Sequence, residues 1–443
     1  MHHTPAVNHA PATTRTRLTR ALRHRNYRLF FGGQSVSLIG TWVTRVATSW
    51  LVFRLTGSEL LLGVVAFAGQ IPLLVLAPFG GVLGDRFDRR TILIVTQVLS
   101  AVQSLVLGVL AITGRITVPQ VIVLQVIQGI INAFDTPARQ AFVVEMVESA
   151  EDLPNAIALN SSMFNASRII GPTIAGILIA AFGEAWCFLL DAASYVAVIL
   201  SLVAMRFAVR AVPRNETHML DELRTGVRYV LGFAPVGALL LQVTLVSVLG
   251  MPYAVLMPAI AARVLHGGPH TLGLLMTATG VGALFGTVYL AARHTILGLG
   301  KVIVVATAML SAGLIAFSFS NTLLLSMAVL PLVGAGMMLQ SASANTILQT
   351  VVDEKLRGRV MAFYTMAVLG TQPLGSLLAG AMADRIGAQH TIFIGAIGCL
   401  LGGAWFALRR KKLAEYVRPI YVERGILTWD DGTIEPVDAG RIR

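Results

Sequence analysis

Ten residues, Gly81-Val82-Leu83-Gly84-Asp85-Arg86-Phe87-Asp88-Arg89-Arg90, stand where one apolar run, Leu60 to Gly84, gives way to another, Thr91 to Thr113. Each run is long enough to cross a bilayer, which takes about 20 mostly apolar residues. Charges at this density have no place in hydrocarbon, so the cluster is a short loop at the water interface. Its basic excess assigns it to the cytoplasmic side. Two spans joined by such a loop make a helical hairpin, and the rest of the chain repeats the pattern.

Twelve runs reach or approach spanning length, near 27–53, 60–84, 91–113, 117–139, 157–182, 185–206, 235–262, 271–292, 301–320, 322–349, 359–382 and 390–408. Only 13% of the 443 residues are charged, against about 25% in soluble proteins. An even number of spans puts both termini on one side. Of the 34 Lys and Arg, 28 fall in the tails and loops of that side, 4 on the other (Arg54, Arg115, Arg263, Arg385) and 2 inside spans (Arg45, Arg168). That split predicts cytoplasmic termini and a multi-pass protein of the inner (cytoplasmic) membrane. The net charge of +12 lies in short patches between apolar runs, so nucleic acid is not expected as a partner. Cys187 and Cys399 lie inside apolar runs and read as buried thiols.

The expected organisation is an all-α membrane protein in two six-helix halves. Residues 1–26 are an Arg-rich cytoplasmic tail with no apolar core of a signal peptide. The halves are 27–206 and 235–408, followed by a cytoplasmic tail, 409–443. Between the halves, 207–234 contains Asp221 to Tyr229 with apolar residues at helical spacing. That segment reads either as an amphipathic helix on the inner surface or as a linker. Gly81, Asp152 and Pro172 recur 201 positions later as Gly282, Asp353 and Pro373, the pattern of a parallel repeat.

The opening cluster, Gly-x-x-x-Asp-Arg-x-x-Arg-Arg, resembles the loop 2–3 signature of the major facilitator superfamily. Gly40-Thr41-Trp42, Trp50 to Ser58 and Asn132 to Gln140 look like the branch that holds the enterobactin and macrolide exporters. The resemblance covers about 27–408. It implies twelve helices in two pseudo-symmetric bundles, with spans one, four, seven and ten lining a central cavity. It also implies transport of a small molecule, not enzyme chemistry.

The resemblance further implies a conformational latch at Gly81, Asp85, Arg86, Arg89 and Arg90. A loop acid at a helix end stabilises by up to ~2 kcal/mol when partly buried. Asp88 departs from the usual glycine there, and a solvated topology signal is the other reading of the cluster. Span five carries Ser167-Arg168-Ile169-Ile170-Gly171-Pro172-Thr173-Ile174-Ala175-Gly176, similar to the antiporter motif of proton-coupled exporters. Arg168, Gly171, Pro172 and Gly176 are its candidate residues, with a plain packing kink as the alternative. Gln125 stands where a related span-four motif has arginine, so proton coupling needs another group.

Polar residues recur at helical spacing on three spans. They include Gln34, Thr41 and Arg45 on span one, with Trp42 beside them. Span four has Gln125, Gln128, Asn132, Asp135 and Arg139, and span ten has Met338, Ser341, Asn345 and Gln349. Such faces point at a cavity or at another helix. Arg45, Arg168 and Asp191 are charges within the membrane, where each needs a partner or a function. Asp135 and Asp191 are the candidate proton-coupling acids. Similar depths make Arg45 a candidate counter-ion for Asp191. His266 and His270 flank a Gly-Gly-Pro loop with no acid or cysteine nearby, so no metal is expected. No phosphate-binding loop is present in the sequence, and no cofactor is expected.

These features point to a monomeric secondary transporter, a proton-coupled antiporter exporting apolar or amphipathic molecules of drug or siderophore type. Its partners are the substrate, protons and the bilayer. An importer or lysolipid carrier of the same fold, or a receptor or scaffold without transport, stands as the alternative.

Overall fold

Backbone crossing hydrocarbon has no water to bond, so each apolar run must close its hydrogen bonds internally as a helix. A computed structural model describes residues 19–147, 149, 151–206, 227–293, 295–430 and 433–436; for 77–78, 80–86, 355, 428–430 and 433–436 it describes the backbone alone. Among the described residues, twelve helices are long and apolar enough to span. They are α1 (Arg25–Thr56), α2 (Glu59–Arg86), α3 (Arg89–Ile112), α4 (Val118–Met146), α5 (Leu153–Phe182) and α6 (Glu184–Ala204). The second half has α7 (Ala234–Val264), α8 (Pro269–Ala291), α9 (Leu299–Ser318), α10 (Leu323–Val351), α11 (Leu356–Ile386) and α12 (Ala388–Glu423).

Local chemistry sets the ends. Gly57 adopts a left-handed conformation (φ 64°) that stops α1, letting α2 begin at Glu59. Asp88 accepts from Thr91 N at 2.9 Å and so caps α3. That explains the acid where glycine was expected. Thr117 and Gln120 form a capping box at the start of α4.

Two helices are locally widened. α7 makes a π turn at Val246–Gly250 ahead of Pro252, and α11 makes one at Met366–Gly370 ahead of Pro373. Proline lacks an N–H and its ring clashes with the carbonyl four residues back; the widened turn relieves both. Ser247 Oγ donates to Val368 O at 2.6 Å, joining the two turns.

α12 runs to Glu423, past the expected end at 408. Its extension packs Leu413, Val417, Ile420 and Tyr421 with Tyr229, Val230 and Phe233, and that buried face carries the helix beyond the span. A short hairpin, β1 (Leu427–Asp430) antiparallel to β2 (Thr433–Pro436), follows. Residues 227–232 are helical; the rest of the expected surface helix lies outside the described residues. Cys187 and Cys399 are buried and free.

Three apolar cores organise the bundle. At the end where α1 begins, each half has its own. Tyr27, Phe30, Phe142 and Leu202 belong to the first, and Val236, Ile303, Leu348 and Phe406 to the second. At the far end a single core runs through both halves, with Trp50, Phe53, Leu62, Ile179, Leu256, Leu275 and Ala383 among its members.

Candidate transport site

The halves meet along two seams, α5 against α8 and α2 against α11. Both depend on small residues. A Cβ on Gly273 of α8 would lie 2.6 Å from Pro172 O and 3.1 Å from Gly176 Cα of α5. Thr173 and Thr277 bond across this seam at 2.8 Å. A Cβ on Gly380 of α11 would lie 2.7 Å from Glu59 O of α2. The span-five motif is therefore a packing surface between halves at Gly176 and within the first half at Gly171, where a Cβ would meet Trp42 Cβ at 2.4 Å.

Polar groups seal the far end. Arg263, at the end of α7, donates to Glu59 and to Gly57 O. Its guanidinium lies 5.2 Å from the Phe53 ring. Ser58 donates to Asp384 Oδ1 at 3.2 Å. In the sequence Arg263 reads only as a loop charge between spans. A bridge between Glu59 and Arg263 becomes visible once the two halves are placed together.

Behind this seal, groups from both halves converge. On α1, Arg45 lies over the Trp42 ring at 4.7 Å. Trp42 meets Phe164 of α5 edge to face at 6.0 Å. Arg168, one turn beyond Phe164, donates to Met337 Sδ of α10 at 3.7 Å, and Tyr253 of α7 lies within its electrostatic reach. Arg45 is exposed although mid-span, and Arg168 is half-buried. A separate apolar groove of about 380 Å³ lies between α2, α7 and α11, with Leu74, Leu240, Phe363 and Met366 in its wall.

The other expected cavity residues divide. Ser341 is bonded to Tyr364 Oη of α11 at 3.0 Å, and Asn345 accepts from Gln349 one turn on. Gln34 is buried, Thr41 bonds to Ser37 O of its own helix, and Gln125 packs against Gly69 of α2. Gln128 donates to Ser100 of α3 and to Asn132, both at 3.2 Å.

The acids are set apart from the arginine pair. Asp135 binds Arg139 at 3.0 Å and accepts from Thr96 at 3.0 Å and Gln97 at 2.9 Å, both on α3. Asp191, on α6, accepts from Ser104 of α3 at 2.8 Å on Oδ2, while its Oδ1 is buried without a donor. The expected Arg45–Asp191 pair does not form. Gly40 faces Asp191 from α1, and Arg45, five residues on, points elsewhere on that helix. The buried polar stripe of α3, Thr96, Gln97, Ser100, Gln103 and Ser104, escaped the sequence analysis. Its signal was there: five polar residues at helical spacing inside an apolar run.

In the loop cluster, Arg89 pairs with Glu145 at 2.5 Å, and Arg90 donates to Leu202 O and Val203 O at the end of α6. Both act within the first half. The side chains of Asp85 and Arg86, like the surroundings of Gly81, lie outside the described residues.

Two bundles, two inter-half seams and a shared polar interior define a transporter of the major facilitator type, a membrane carrier and not an enzyme. The chain belongs to the transmembrane secretion effector family, whose pattern matches residues 18–418. It is 25% identical over 387 residues to the staphyloferrin A transporter of Staphylococcus aureus, covering 87% of this chain and 96% of that one. The multidrug efflux pump Tap of Mycolicibacterium fortuitum is 29% identical, with 84% and 93% covered. Macrolide efflux protein A of Streptococcus pyogenes is 24% identical, with 83% and 93% covered. Among solved structures, the nucleoside transporter NupG superposes with a TM-score of 0.67 at 13% identity, covering 88% of this chain and 99% of that one. A bacterial homologue of the human lysosomal transporter Spinster gives 0.66 at 12%, with 91% and 99% covered.

Proposed function

We propose that the chain exports small amphipathic molecules across the inner membrane by alternating access, with cytoplasmic termini and a proton gradient as the driving force. The observation that carries this reading is the one-sided core, continuous through both halves at the far end and split in two at the other. Alternating access rocks one bundle against the other around a central site, and a bundle closed at one end only is the form one of its end states would take. With the termini inside, that state opens to the cytoplasm and loads cargo for export. The relatives named as a multidrug efflux pump and a macrolide efflux protein support that direction. The gradient supplies about 2.3 kcal/mol per charge per 100 mV, roughly 50-fold accumulation.

For the coupling site the reading favours Asp191 over Asp135. Asp135 has both oxygens engaged by Arg139, Thr96 and Gln97 and serves to hold α3 to α4. Asp191 has the hydroxyls of Ser104, Thr44 and Ser194 beside it and, among the described residues, no cation bridged to it. Its Oδ1 and Thr44 Oγ1 are both buried without a partner. The Thr44 hydroxyl can donate to Oδ1 when the acid is ionised and accept from it when the acid is protonated; among the described residues no cation pairs with the ionised form, and a buried charge without a counter-ion is costly. Motion of α1 against α6 would change this balance.

The test joins Ser58→Cys to Asp384→Cys. Oxidation is expected to lock the far end and stop substrate accumulation in inverted vesicles, and reduction to restore it. Full accumulation by the cross-linked protein refutes alternating access through this seam.

A further inference from the structure

We propose, resting on the transport reading, that the central site takes a small organic anion, a carboxylate on an apolar or aromatic body, held between Arg45 and Arg168. Among the described residues no Asp or Glu pairs with either arginine. Their recorded contacts are the Trp42 ring and Met337 Sδ, and neither carries the countercharge that two intramembrane guanidiniums need. A charge in a span costs about 2.5–3.5 kcal/mol on insertion scales, so such residues are partnered or functional.

The geometry puts the two charges together. Trp42 and Phe164 touch. α1 and α5 both run from the termini end towards the far end. Arg45 is three residues past Trp42 and Arg168 four past Phe164, so each stands about 4.5–6 Å deeper. The arginines therefore stand at similar depth on two packed helices, towards the closed far end, and repel one another, with the aromatic pair one turn nearer the other end. Guanidinium forks match carboxylate oxygens, and the rings give an apolar body a surface. An anion between the forks removes their repulsion. Met337 and Tyr253 bring the second half to the same point, so occupancy of the site is felt by both bundles. Two fixed positive charges exclude organic cations.

The probes are benzene-1,3,5-tricarboxylate and benzyltrimethylammonium at matched ionic strength, with purified full-length protein. The tricarboxylate is expected to raise the melting temperature and to protect Arg45 and Arg168 from phenylglyoxal, while the ammonium does neither. Arg45→Gln and Arg168→Gln should each weaken tricarboxylate binding by about tenfold or more. Protection in the wild-type protein stands as the measurement if a variant fails to fold. Equal binding of the ammonium, or no protection by the tricarboxylate, overturns the proposal. Protection by lysophosphatidate and none by the tricarboxylate assigns the site to lipid and also overturns it. Flux in inverted vesicles separates the two readings. Tricarboxylate protection with no flux of any probe refutes transport and leaves the anion site, whereas flux of the ammonium without protection does the reverse.

Discussion

Arg263→Gln should loosen the far end of the bundle more than Glu59→Gln does. The two side chains of this bridge are unequally buried: Glu59 is 5% exposed and Arg263 55%. Removing Arg263 strands a carboxylate inside the seam. Removing the charge of Glu59 leaves Arg263 half in water, with Gly57 O and the Phe53 ring still in contact. Breaking a fully buried pair costs about 3–5 kcal/mol, and exposed pairs contribute at most about 1. With one partner half exposed, loss of Arg263 should cost the closed far end about 1–2 kcal/mol. That is a 5- to 30-fold shift towards opening. Glu59→Gln should shift the balance by less than about threefold. The assay is electron–electron distance measurement between spin labels at Arg115→Cys and Asn321→Cys, on far-end loops of the two halves. The wild type should give a short distance, and Arg263→Gln a large added population at a longer one. The double variant Glu59→Gln, Arg263→Gln should fall back towards wild type, because no stranded charge remains. The opposite order of the single variants, or no change in either, would refute the reasoning.

The two acids should separate cleanly. Asp135→Asn should lower thermal stability, by about 2–3 kcal/mol for a broken ion pair with buried donors, read by melting in detergent. Asp191→Asn should melt near wild type yet lose gradient-driven accumulation in inverted vesicles; unimpaired accumulation removes Asp191 from coupling. Gly171→Ala should destabilise by about 1–3 kcal/mol through overpacking against Trp42, whereas Gly32→Ala, with open space around it, should be neutral or gain up to about 1 kcal/mol. Equal melting of the two would show that α1 and α5 yield more easily than their contact implies. Reporter fusions after 115 and 265 should read outside and fusions after 90 and 215 inside. A fusion at 90 reading outside would reverse the bundle and make the open end extracellular.

The number of spans was legible because membrane insertion responds to local composition, and composition is local in the sequence. Lys and Arg counts predict the sides for the same reason. Periodicity also picked out the polar faces. Which neighbour each face meets is a different kind of fact. Gln128 and Asp135 share a face seven residues apart, and that face meets α3, whose own polar stripe receives it. Arg45 and Asp191 have compatible depths, yet one helical turn of α1 directs Gly40 to Asp191 and Arg45 to Arg168. Glu59 and Arg263 lie 204 residues apart, and no spacing rule connects them. The sequence by itself determined how many times this chain crosses the membrane, because each crossing must satisfy its own backbone. Only the tertiary structure decided which charges are partnered and which stand without an acidic partner among the described residues. Pairing depends on how twelve helices rotate about their axes when small residues let them meet.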